Sequence, residues 1–427
     1  MSFGGPAGQI AVMHRIIVDE RKWVREDRFL HALNYCMLLP GPEAQQLSVY
    51  LGWLQRGPLG GFVAGMLFIL PGFVSILALS LLYTEYGHTS AVSGLFYGLK
   101  AAVIALVADA VWRIGGRSLR STATRTIAVV AFVSTLLFAA PFPAIVAVAA
   151  ILGYFGSRFW PGQYRINSSH GDAHENAPEP YSLPGAAVAP TYRRTIGVLI
   201  LGLVAWWGPV LAIFAATGPK SVWSEQAILF SKAAMLTFGG AYSVLGYVAH
   251  EAVETYGWLK PPEMLDGLAM AESTPGPLIQ VVQFVGYLGA YRQPGNLSPL
   301  TAGVLGSLIT TWVTFAPCFL WIFLGAPYVE RLRDAKSINA ALSAITAAVV
   351  GVIASLGVWL AVHTLFAVTR RVEWGPLSFD APELTKIDPL ATVMAIAAFV
   401  VIRSRRAPIL AVLGVYAVIG WAVSVVW

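Results

Sequence analysis

The chain has 427 residues, 57% of them hydrophobic and 12% charged, with a formal net charge of +6. Soluble proteins carry about 25% charged residues, so this composition excludes a disordered, collagenous or disulfide-stapled chain and argues against an ordinary cytosolic enzyme. It reads as an integral membrane protein, in which spans replace domains as the unit of counting.

In chain order, residues 1–8 lack a basic n-region followed by an apolar run and cleavage site, so no signal peptide is expected. A helix needs about 17–25 apolar residues to cross a bilayer. Spans are predicted at 59–83, 91–111, 195–217, 299–324, 339–366 and 405–427, with weaker ones at 126–140, 143–159 and 387–402. The stretch 160–194 is polar and holds Pro161, Pro178, Pro180, Pro184 and Pro190, the composition of a flexible linker. Cys36 and Cys318 lie in separate apolar segments and read as packing residues, since a disulfide framework or a metal site needs more ligands at closer spacing. No metal or cofactor is expected. The net charge belongs to loops rather than to a nucleic-acid footprint.

The chain repeats itself. Phe3-Gly4-Gly5 recurs as Phe238-Gly239-Gly240, Trp23 as Trp258, Pro40-Gly41-Pro42 as Pro275-Gly276-Pro277 and Gln45 as Gln280, all at an offset of 235 residues. Pro71 and Pro317, and Ala101-Ala102-Val103 and Ala347-Ala348-Val349, match at 246. The predicted organisation is a first repeat over 1–159, a linker over 160–194, a connecting transmembrane helix in 195–223 and a second repeat over 224–427. Arg113, Arg117, Arg120 and Arg125 place the loop 112–125 in the cytoplasm. Arg331, Arg333 and Lys336 do the same for 325–338, as do Arg403, Arg405 and Arg406 for 403–406. Equivalent spans then run in opposite directions, an inverted repeat of the kind that supports alternating access. The expected fold is an all-α, polytopic transmembrane bundle of two inverted repeats.

The prolines Pro40 and Pro42 interrupt an apolar run at 29–54. Proline removes a helix hydrogen bond and glycine permits a sharp turn. The pieces that remain, about 11 and 12 residues, are about 16–18 Å long at 1.5 Å per residue, too short to span. Arg15, Arg21, Lys22, Arg25 and Arg28 before the break and Arg56 after it put both ends on the cytoplasmic side, which gives a re-entrant segment. The second copy, around Pro275-Gly276-Pro277, has the acids Glu251, Glu254, Glu263 and Asp266 upstream, as suits the outer face. A helix restarting after each break aims its free N–H groups toward the bilayer centre, and such an end acts as roughly half a positive charge. Two opposed ends form a site for an anion.

Candidate ligands follow from that geometry: Pro40, Gly41, Pro42, Gln45, Ser273, Thr274, Pro275, Gly276, Pro277 and Gln280. Glu43 is either a helix cap or a proton-binding group. Lys100, inside a span, either attracts the anion or pairs with Glu43 or Asp109. Asp109 and Arg113 are spaced as a helix pair, while snorkelling toward an interface is the default for Lys232 and His363. The motif glycines Gly4, Gly5, Gly239 and Gly240 serve as hinges or as close helix approaches.

Phe3-Gly4-Gly5-Pro6-Ala7-Gly8-Gln9-Ile10, the run from Arg28 to Leu47 with its Pro-Gly-Pro-Glu core, and Ser273-Thr274-Pro275-Gly276-Pro277 resemble the chromate ion transporters of bacteria, in their two-domain long form. The resemblance implies a multi-pass protein of the bacterial cytoplasmic membrane that exports chromate on the proton motive force and confers resistance. Sulfate, equally tetrahedral and doubly charged, is the alternative cargo, with uptake the alternative direction; a homodimer stays open. In the family a helical stretch precedes the first Phe-Gly-Gly, as Ser224 to Thr237 precedes the second, whereas this sequence starts at Met1. Gly218-Pro219-Lys220-Ser221 lacks Walker spacing, so ATP is not the expected energy source. A membrane-embedded reductase is the reading from another class. The sequence shows no nucleotide fingerprint, metal cluster or nucleophile–base set to support it.

Overall fold

The computed structural model describes residues 5–159, 191–238, 241–328, 336–375, 377–404 and 407–426. The all-α class holds, with fifteen α-helices among the described residues and a single β-hairpin besides. The helices are α1 (Gly5–His14), α2 (Glu26–Leu38), α3 (Glu43–Tyr86), α4 (Ser90–Ser118), α5 (Thr122–Phe138), α6 (Phe142–Phe159), α7 (Tyr192–Thr217) and α8 (Val222–Leu236). They continue with α9 (Tyr242–His250), α10 (Pro261–Ser273), α11 (Val281–Arg292), α12 (Pro299–Gly325), α13 (Lys336–Leu365), α14 (Pro389–Ser404) and α15 (Ile409–Val426). Six are long and apolar enough to cross a membrane: α3, α4, α6, α7, α12 with the turn that follows it, and α13. The expected spans at 126–140, 387–402 and 405–427 appear as the shorter apolar helices Thr122–Phe138, Pro389–Ser404 and Ile409–Val425.

The duplication seen in the sequence recurs in local geometry. α1 ends in a π-helical turn, Arg15–Glu20, and α9 ends in another, Glu251–Thr255. Lys22 (φ 51°) and Gly257 (φ 62°) are both left-handed, at the same 235-residue offset. The next residue returns its N–H to the π turn in each copy, Trp23 to Ile17 and Trp258 to Ala252, both at 2.8 Å. α2 and α10 match end for end at that offset. Leu39 (φ −89°, ψ 149°) and Thr274 (φ −103°, ψ 154°) then leave the helix extended, because a residue before proline is pushed out of the α region. Gly41 (φ 129°) and Gly276 (φ 124°) adopt a conformation that L side chains rarely enter.

The chain forms two compact units, and each draws on both halves of the sequence. The first unit lies within Met1–Ser75, Ile166–Ala241 and Pro275–Lys336. Here α3 is two helical arms, because Arg56 (φ −137°) and Gly57 (φ 65°) are not helical. The arms fold back on one another. A Cβ on Gly52 would lie 2.5 Å from the Gly60 carbonyl oxygen, and Ser48 Oγ donates to the Ala64 carbonyl at 3.2 Å. In the second repeat α11 and α12 make the same antiparallel crossing, with Gly286 against Gly306 and Thr310. Small residues at such crossings let backbones approach and gain dispersion contacts, which is how helices associate where no water drives them together. The second unit lies within Ile76–Arg165, Tyr242–Thr274 and Ser337–Trp427. In it Gly94 and Gly98 of α4 pack against Gly420 and Ser424 of α15.

The hairpin consists of β1 (Thr369–Trp374) and β2 (Leu377–Pro382), antiparallel with Thr369 opposite Pro382 and Trp374 opposite Leu377. Arg371 ties it to Glu254 of the π turn at 3.3 Å.

The hairpin of α3 gives a test of two different demands for glycine. Gly60→Ala would drive a methyl into the opposing backbone and is expected to cost about 1–3 kcal/mol. A Cβ added at Gly57 would meet nothing within 4 Å, but its φ of 65° with ψ of −156° is a conformation essentially reserved for glycine. Gly57→Asn is therefore expected to cost about 1–3 kcal/mol through backbone strain alone. Apparent melting temperature in detergent should fall for both variants.

Candidate functional site

The first break belongs to the first unit and is held by the second half of the sequence. Gly41 N–H donates to the Thr237 carbonyl at 2.7 Å, just after α8. A side chain at Gly41 would lie 2.7 Å from Cys318 Sγ of α12, so glycine is required by space as well as by φ. Gln46 Nε2 turns back to the Pro40 carbonyl at 2.8 Å and braces the turn. Gly41, Pro42, Ala44, Gln45 and Gln46 are all buried, and Glu43, the first residue of α3, is half-buried. Gln45 is 0% exposed, and neither its Nε2 nor its Oε1 has a hydrogen-bond partner among the described residues. A buried amide left in this state costs about 1–3 kcal/mol, which singles it out among the site candidates.

The second break mirrors this arrangement. Gln9 Nε2, from α1, donates to the Gly276 carbonyl at 2.7 Å. Gly72 of α3 leaves room for the turn, since a Cβ there would lie 2.8 Å from the Pro275 carbonyl oxygen. Gly72 follows Pro71 as Cys318 follows Pro317, so each break rests on the residue after the mid-helix proline of the other repeat's span. Gln280 ends a short 3-10 turn, Leu278–Gln280, that leads into α11. Its Nε2 reaches the Ile69 carbonyl and Gln283 Oε1, both at 3.3 Å, while its Oε1 has no partner among the described residues. Gln283 Nε2 in turn donates to the Phe73 carbonyl at 2.9 Å. Ser273 and Thr274 spend their hydroxyls on carbonyls of α10, Met270 at 3.0 Å and Ala271 at 3.4 Å, so neither caps a helix. Gln9, Gln46 and Gln283 are additions to the expected set. Gln46 was invisible to the repeat because its counterpart is Val281. Gly4, Gly239 and Gly240 lie outside the described residues; Gly5 opens α1.

Charge gathers in the second unit. Lys100 Nζ lies 3.0 Å from Asp266 Oδ1, and Tyr83 hydroxyl donates to Asp266 Oδ2 at 2.8 Å. The lysine thus pairs with neither Glu43 nor Asp109. Asp266 is 5% exposed, an internal partner rather than a member of an acidic outer flank. Asp109 and Arg113 form the expected helix pair at 3.9 Å. Glu272, which the sequence pattern gave no reason to select, is 5% exposed and hydrogen-bonded to the Tyr242 hydroxyl. His363 rests on the Trp359 ring and lies 3.6 Å from Asp380 of the hairpin. Both cysteines are free and buried. Among the described residues no His, Cys, Asp or Glu cluster is arranged to hold a metal ion.

Two broken helices, buried amides and long apolar helices are the features that comparison with known proteins has to match. The sequence model of a family described as "Chromate transporter" matches residues 1–154 and 224–421, on either side of the polar linker. This chain belongs to that family. It is 33% identical to a chromate transport protein of Pseudomonas aeruginosa over 84% of this chain and 78% of the relative. It is 28% identical to a probable chromate transport protein of Synechococcus elongatus, over 86% and 82% of the two chains. A chromate transport protein of Cupriavidus metallidurans matches at 27% identity over 86% and 80%. No solved structure matches. Membership of a transporter family and six helices of spanning length make this a multi-pass membrane protein.

The Lys100–Asp266 pair carries a stability prediction. Removing one partner of a buried pair leaves an uncompensated charge and costs about 3–5 kcal/mol, whereas replacing both is often close to neutral. Lys100→Gln and Asp266→Asn are each expected to lower thermal stability in detergent, and the double variant to recover most of the loss.

Proposed function

We propose that this protein is a secondary transporter that carries chromate out of the cell across the bacterial cytoplasmic membrane, driven by the proton motive force, and so confers chromate resistance. The observation that carries this reading is the Gln45 amide, wholly buried and without a partner among the described residues, at the start of a helix that follows the Pro-Gly-Pro break. A helix start leaves its first N–H groups without intrahelical acceptors. Together with an amide N–H₂, those groups suit a tetrahedral oxyanion that must shed its water. The second break supplies Gln280, at the equivalent position, with backbone N–H groups of its own. Pro40, Gly41, Pro42, Pro275, Gly276 and Pro277 set the direction of these donors, and Ser273 and Thr274 border the second turn.

The two repeats, 1–159 and 224–427, are assigned opposite orientations, with both breaks re-entrant so that their donors converge on one anion. The linker 160–194 and the connecting helix in 195–223 permit that inversion. The names of the relatives supply the substrate, and voltage supplies a direction. A dianion leaving a cell whose interior is negative gains about 4.6 kcal/mol per 100 mV, at about 2.3 per charge. Neutral amide donors suit this task. They hold an anion through dipoles alone, so release does not require breaking an ion pair in a low-dielectric site.

Gln45→Ala and Gln280→Ala are each expected to weaken chromate transport several-fold in sealed vesicles while the protein still inserts, with Gln45→Ala the more severe. Unchanged kinetics in both variants would reject the amides as ligands. Whole-cell accumulation fixes the direction: expression should lower cell-associated chromate, and raised accumulation would reverse the assignment to uptake. Competition by sulfate in the same vesicles reports how far the site separates two anions of one shape and charge.

A further inference from the structure

Two buried acids on α10 are compensated in different ways. Asp266 has the Lys100 ammonium at 3.0 Å and the Tyr83 hydroxyl at 2.8 Å, so it is a settled, neutral pair. Glu272 is equally buried, but among the described residues no lysine or arginine is in ion-pair contact with it. Its partner is the hydroxyl of Tyr242, the first residue of α9. Arg113 of α4 is near enough to act on both Glu272 and Tyr242, yet its own ion-pair partner is Asp109. Glu272 also sits at the end of α10, two residues before Thr274, where the backbone leaves the helix for the second Pro-Gly-Pro turn.

We infer that Glu272 is the proton-exchanging group of the transport cycle, with Tyr242 as the hydrogen-bond partner that positions it. The inference deepens the transport reading above and rests on it. Ionisable groups inside a membrane protein that are not locked in a pair are where proton relays are built. The Glu272 carboxylate takes one proton from water on one side of the membrane, becoming a neutral carboxyl, and returns that proton to water on the other side. As an anion it accepts from Tyr242 and draws on the Arg113 field; as a neutral acid it carries a donor of its own. The groups that face it are Tyr242 from α9 and Arg113 from α4, with Asp109 of α4 acting on Tyr242 and pairing with Arg113, while Asp266 on its own helix is already neutralised by Lys100. Because Glu272 is joined through Ser273 to the extended Thr274, a change in its bonding reaches the turn that carries Gly276 along the backbone itself.

The test is chromate flux by the purified full-length chain in sealed vesicles, with voltage clamped and pH varied only on the chromate-free side, so that chromate speciation is constant. Wild-type flux should rise with the imposed pH gradient. Glu272→Gln, which keeps the shape and can still bond Tyr242, should move chromate at a rate that no longer responds to the gradient. Tyr242→Phe should keep the response and shift its pH midpoint, which a merely structural role would not do. A Glu272→Gln protein that responds like wild type overturns the inference. If that variant fails to insert, Tyr242→Phe decides: a shifted midpoint supports the assignment and an unshifted one overturns it. Wild-type chromate flux that ignores pH removes the proton role and leaves chromate transport standing, whereas wild-type protein with no chromate flux removes the transport reading itself.

Discussion

A peptide group released from a helix within a bilayer must find its hydrogen-bond partner in protein, because hydrocarbon offers none. This chain opens its backbone twice, at Gly41 and Gly276, and each opening is met from the other half of the sequence. Thr237 accepts from the Gly41 N–H, and Gln9 donates to the Gly276 carbonyl. Cys318 and Gly72, each just after a mid-helix proline, form the surfaces against which the turns rest. Gln46 braces the first turn from its own half, and each break also takes a partner from the other, so one copy completes the other.

The amides near the breaks and the paired ions belong to different compact units. Gln9, Gln45, Gln46, Gln280 and Gln283 lie in the first, together with the half-buried Glu43 that opens α3, whereas Lys100, Asp109, Arg113, Asp266 and Glu272 lie in the second. In the proposed transport cycle this divides holding the cargo from setting the conditions of its passage.

Local backbone chemistry was legible in the sequence. The two Pro-Gly-Pro turns, their shared offset and the long apolar helices follow from proline, glycine and hydropathy, which act over a few residues. Partnerships across the chain were not legible. Lys100 had plausible acids nearer in sequence than Asp266, and Glu272 looked like one more residue beside a motif. Gln46 escaped because the duplicated position is Val281, and the Arg56 that reads as a charged flank is in the structure the point where α3 reverses on itself. The β-hairpin was passed over by a search for apolar runs, although Gly375-Pro376 between Trp374 and Leu377 is a turn signal.

The two repeats differ most at their reversals. In the first, α3 doubles back at Arg56-Gly57-Pro58 with scarcely a loop; in the second, α11 and α12 are joined by the longer stretch from Gln293 to Ser298, which supplies part of the change in offset from 235 to 246. A tight corner stores its stiffness in a few torsions, whereas a loop spreads it over many. The two hairpins, alike in how their helices cross, therefore differ in compliance at the point where each one turns.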